Sequence, residues 1–114
     1  MASLMCLALA KPSYDTIINA YEECSALYSG CWRVIVSTTN KLLKQYGVKP
    51  VEENITAREL LDTLATRLEE KLRKEKPTAP KSTIAEMASK ETYRIAVIVL
   101  SVIIRKMGVS CAPI

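Results

Sequence analysis

The run from Ile95 to Ile104, inside "YRIAVIVLSVIIRKMG" (Tyr93–Gly108), constrains this chain more than any other stretch. It holds ten uncharged residues between Arg94 and the pair Arg105-Lys106. A membrane-spanning helix needs about 20 apolar residues, so this run is too short to span and reads instead as a buried element. A helix that is apolar on nearly every side must be surrounded by protein. Three neighbouring helices cannot easily cover it all round, so part of its surface is expected to meet another subunit. Ile95, Ile98, Val102 and Ile103 are the expected interface residues.

With 114 residues the chain has room for one domain with a real core and too little for two. The expectation is a single helical domain over 1–114, with a docked segment at 1–12, a Pro/Lys connection at 76–82 and a tail at 109–114. Hydrophobic residues make up 49% and charged residues 25%, which is globular rather than disordered composition. Phe is absent, so the core must come from Leu, Ile, Val and Ala.

Helical spacing recurs along the chain. Ser13 is placed to cap a first helix with Asp15 in its first turn, and Tyr14, Ile17, Ile18, Tyr21 and Cys24 lie on one side. The segment from Cys31 to Gly47 is rich in β-branched residues between Val34 and Thr39 and could pass for a strand. Trp32, Ile35, Val36, Thr39, Leu42 or Leu43, and Tyr46 nevertheless keep a helical stripe, and Gly47 stands where a helix-terminating glycine belongs. Thr56 and Glu59 spell a capping box ahead of the stripe Leu60, Leu61, Leu64, Leu68 and Leu72. Thr83 and Glu86 spell a second one. They predict a last helix that starts at Ser82 or Thr83, runs to Met107 and is open to interruption near Ser89. The fold class that follows is all-α: a small bundle of four to five helices with a buried apolar C-terminal helix.

The sequence has no histidine, which removes the commonest general base together with Ser-His, Cys-His and histidine-based metal sites. Gly30, Gly47 and Gly108 stand alone at helix ends, so neither a P-loop nor a dinucleotide fingerprint is present. Glu22-Glu23, Glu52-Glu53 and Glu69-Glu70 are adjacent in sequence and diverge on a helix surface. No catalytic set, cofactor or small-molecule substrate is expected. Cys6, Cys24, Cys31 and Cys111 form no close CxxC pair, so zinc is not expected, and the thiols are read as buried or disulfide-linked. An ordinary cytosol would keep them reduced. Three Asn, one Gln and dense Glu/Lys/Arg pairing around 67–76 give a thermophile-like signature, opposed by four Met and four Cys. The N-terminal "MASLMCLALA" lacks the positive charge of a signal peptide, Asn54 opens a glycosylation sequon read as chance, and the expected location is cytoplasmic, or a virion if the protein is viral.

Charge is distributed in blocks. Basic residues gather in 31–51 (Arg33, Lys41, Lys44, Lys49) and in 71–81 (Lys71, Arg73, Lys74, Lys76, Lys81), with an acidic block between them. Such blocks can be solvated faces, can pair across a subunit boundary, or can follow a phosphate backbone. Contact of the last kind would be independent of sequence and sensitive to salt. Only Trp32 and Tyr46 lie near basic residues as stacking groups, and Trp32 reads as a core residue.

A small, basic, all-helical chain of this kind resembles in class the small helical subunits of archaeal CRISPR interference complexes, the helical coat proteins of archaeal filamentous viruses, and the HEPN bundles. The likeness aligns no motif residue by residue. An active HEPN nuclease needs an arginine followed a few residues later by histidine, and Arg33 has no such partner. The expectation is a non-enzymatic helical subunit of a larger assembly that associates with itself or partner subunits and touches DNA or RNA through its phosphates. The competing expectation is a protein-only oligomeric module.

Overall fold

The computed structural model describes residues 3–111, and among them it forms five helices. They are α1 (Leu4–Ala10), α2 (Tyr14–Leu27), α3 (Cys31–Gln45), α4 (Ala57–Glu75) and α5 (Lys81–Lys106), with no strand among the described residues. The fold is a small all-α bundle, and the β-branched run in α3 is helical because its apolar stripe faces the core.

Side chains set most of the helix starts. Ser3 accepts from the Met5 amide, while Ser13 with Thr16 and Thr56 with Glu59 form reciprocal capping boxes that satisfy orphan amides at α2 and α4. The second spelling, Thr83 with Glu86, forms no cap. α5 starts at Lys81, with Pro80 at the cap position and no side-chain hydrogen bond there. Pro80, at φ −59 and ψ 149, takes the extended cap position itself, so the helix begins at Lys81 and Thr83 lies inside its first turn. Glu86 instead meets Lys90 at 3.4 Å. Nor is α5 interrupted at Ser89; it runs unbroken for 26 residues.

α5 is the axis of the bundle and packs against all four other helices. Ile95, Ala96, Val99, Leu100, Ile103 and Ile104 are buried against them. Four neighbours rather than three surround this helix, so the chain itself encloses most of the run. Ile95 and Ile103, expected at a subunit interface, lie wholly in the chain's own core. Ile98 remains 40% exposed, and Val97, Ser101 and Val102 are half-buried, so these four form the outward side of the run. No helix of the described residues is long and apolar enough to cross a membrane.

Among the described residues every buried side-chain polar atom has a hydrogen-bond partner. The Tyr21 hydroxyl donates to the Ala96 carbonyl at 2.7 Å, and Thr39 and Thr92 donate back to the carbonyls of Ile35 and Ala88 one turn earlier. Burial alone drives the Tyr21 pKa far above its ordinary range, because a phenolate there would have no water.

All four cysteines are bridged. Cys6–Cys111 ties α1 to the tail across 105 positions, with Cα atoms 5.4 Å apart. Cys24–Cys31 staples the α2–α3 elbow across 7 positions, with Cα atoms 5.8 Å apart. Expected tail residues 112–114 lie outside the described residues. The far end of the molecule has no such bond. There α4 and α5 form a hairpin through residues 76–80, and between Glu69 and Met87 only Ile84 is buried, apart from the main core. This projection stretches the molecule to 48 × 28 × 20 Å and its radius of gyration to 14.5 Å, above the ~13 Å of a compact chain of about this length.

A candidate phosphate-binding groove

The two basic blocks, separate in sequence, meet around the loop that follows α3. On α3, Arg33, Ser37, Lys41 and Lys44 recur at helical spacing on one exposed side. The helix then stops in a Schellman arrangement. Gly47 adopts φ 70, its amide donates to the Lys44 carbonyl at 3.1 Å, and the Val48 amide donates to the Leu43 carbonyl at 3.0 Å. A side chain at position 47 would be strained in that left-handed conformation.

Two side chains then hold the loop in place. Asn40 clasps Val51 at both ends of its amide: the Val51 N–H donates to Oδ1 at 2.8 Å, and Nδ2 donates to the Val51 carbonyl at 3.1 Å. From the opposite side, the Arg67 guanidinium donates to the Lys49 carbonyl at 2.8 Å and to the Pro50 carbonyl. Pinned in this way, residues 47–50 form a ridge between two open hollows.

The hollow on the α3 side has a volume of about 510 Å³ and is lined by Asn40, Lys41, Lys44 and the ridge. Its counterpart on the α4 side, about 310 Å³, is lined by Lys49, Arg67, Glu70, Lys71 and Lys74 together with Gly47 and Val48. Six basic side chains thus surround the ridge against one lining carboxylate, Glu70. Among the described residues Lys41, Lys44, Lys49 and Lys74 have no ion-pair partner. Lys71 is engaged, with Nζ 2.8 Å from Glu75 and 5.5 Å from the centre of the Tyr46 ring. Tyr46 in turn donates to Glu91 at 2.7 Å, and that hydrogen bond, followed by partial burial, raises its pKa.

The remaining expected binding residues lie outside the two hollows. Arg33 is on the same side of α3, but about 16 Å along the axis from Lys44, and meets Glu53 at 3.3 Å. Both of those side chains are largely exposed, so the pair contributes little. Arg73 meets Glu69 at 2.6 Å and lines a shallow hollow that also includes Lys74. Lys76 and Lys81 flank the hairpin turn at the tip. Trp32 is half-buried, and its ring N–H donates to the Glu53 carbonyl at 2.7 Å.

Sequence reasoning missed Arg67 as part of this site. Its carbonyl partners lie 17 and 18 positions earlier, and only the loop geometry brings them within reach. The chemistry of the groove is anion attraction: several unpaired ammonium groups on rigid helices and a pinned loop, with no nucleophile–base pair among them. Comparison with protein-family models, curated proteins and solved structures returned no match.

Proposed function

We propose that this chain is a non-enzymatic helical subunit of a nucleoprotein assembly, binding nucleic acid through sequence-independent phosphate contacts around residues 47–50. The observation that carries this reading is the convergence of Lys41 and Lys44 from one block with Lys71 and Lys74 from the other on a single pinned ridge. Solvated charge needs no such convergence, whereas a phosphate backbone needs closely spaced cations at fixed positions. The absence of histidine and of a nucleotide-binding glycine motif supports a role without catalysis. Location, in this proposal, is a compartment where both bridges persist: a virion, or the cytoplasm of a thermophile.

The test is retention of mixed-sequence DNA and RNA across a salt series. Binding at low salt that falls linearly on a log–log plot is expected, with a shallower slope after Lys41, Lys44, Lys71 and Lys74 are changed to Gln. No retention at low salt, or affinity unchanged by the four substitutions, would sink the reading.

The protein-only oligomeric module is favoured by a different observation. Leu4, Leu7 and Leu27 are 41%, 47% and 66% exposed, and Ile98 is 40% exposed. Light scattering of the purified chain checks it, since a strictly monomeric protein would remove that alternative.

A further inference from the structure

The groove has two rows of cations rather than one. Lys41 and Lys44 stand on α3, and Lys71 and Lys74 on α4, with the ridge of residues 47–50, which carries Lys49, between them. α3 and α4 do not pack against each other among the described residues. The rows therefore stand on two helices that do not pack together, one on each side of the ridge, rather than along one helix face.

A single strand offers one row of phosphates and relies on aromatic stacking for much of its affinity. Neither hollow has an aromatic lining residue. Tyr46, the nearest, has one face beneath Lys71 and its hydroxyl on Glu91, and Trp32 lines a separate hollow with Ile55 and Ala57. From these features we infer that the ligand of the groove is double-stranded: the α3 row meets one strand, the α4 row meets the other, and the ridge of residues 47–50 lies over the groove between them. This inference rests on the nucleic-acid reading above and narrows it to a substrate class.

Fluorescence anisotropy with a labelled DNA duplex and each of its isolated strands, at equal phosphate concentration and low salt, tests it. The duplex is expected to bind about tenfold tighter or more, because a single strand gains no stacking here and leaves one cation row unused. Changing Lys41 and Lys44 to Gln, or Lys71 and Lys74 to Gln, is expected to weaken duplex binding in both cases. Each variant should lower the salt slope by roughly 0.9 per phosphate contact removed. Single strands that bind as tightly as the duplex would overturn the inference and leave the nucleic-acid reading intact. So would a duplex affinity that depends on one row only. If neither duplex nor strands bind, both readings fall together.

Discussion

The two ends of this molecule are stabilised by different means. At one end Cys6–Cys111 and Cys24–Cys31 fasten α1, the α2–α3 elbow and the tail around the C-terminal turns of α5. At the other, the α4–α5 hairpin leaves the main core with only Ile84 buried, and exposed pairs such as Glu69 with Arg73 and Lys71 with Glu75 line its side. Each such pair adds only about 0.2–0.5 kcal/mol. Covalent bonds thus secure the end that carries few unpaired cations, while the end that carries the cationic groove is held by helix packing and loop pins. A surface that must meet a ligand keeps its charged side chains in water, which limits how much apolar area it can bury.

The largest expected effect comes from the bridges. In the chain-entropy account, a bridge that closes about 100 residues stabilises by about 4.7 kcal/mol, and one that closes a loop as short as Cys24–Cys31 by about 2.5 kcal/mol. Replacing Cys6 and Cys111 by Ala should therefore lower the urea midpoint more than replacing Cys24 and Cys31. Yet the outer bridge is half-exposed and the inner one fully buried, so a mild thiol reductant should open Cys6–Cys111 first. Mass spectrometry of alkylated thiols checks the order. An inner bridge that opens first would break the comparison.

Next come two leucines on the same stripe of α4. Leu64 is 1% exposed in the main core, whereas Leu72 is half-buried at the root of the hairpin. Leu64→Ala should cost about 3 kcal/mol, within the usual range for a buried leucine, and Leu72→Ala about half as much. Denaturant titration of both sharpens the contrast, and equal losses would mean that the hairpin is as tightly packed as the centre. Smaller still is Thr56→Ala, which removes the cap that accepts from the Glu59 amide at 3.1 Å. A loss of about 1 kcal/mol is expected. The matching Thr83→Ala should be close to neutral, because Thr83 caps nothing.

Those last two residues show how much of the fold was legible. Thr56 with Glu59 and Thr83 with Glu86 spell the same local pattern, but only Thr56 occupies the cap position of its helix. Pro80 takes the cap position of α5 three residues before Thr83, so context decided what spelling could not. Apolar periodicity was enough for α2, α3 and α4, since burial of one side is a short-range property of sequence. The extent of coverage of α5 was not legible, because α1, a helix of 7 residues, supplies a fourth neighbour. The Cys6–Cys111 pairing and the groove were not legible, as both depend on contacts between residues far apart in the chain. The two basic blocks could be read as charge, but their meeting depends on the turn at Gly47 and on Asn40 and Arg67 holding the loop between them.

The central claim, that binding belongs to the unbridged, cationic half of the molecule, is tested most directly by removing equal charge from each half. Lys44→Gln with Lys74→Gln empties one position in each row of the groove, and Arg105→Gln with Lys106→Gln removes the same charge from the last turn of α5. We expect the first pair to weaken duplex DNA binding and to reduce its salt slope by roughly 1.8, while the second leaves the slope unchanged. Equal losses from both pairs would show that net charge, rather than the groove, attracts the nucleic acid, and would contradict the account.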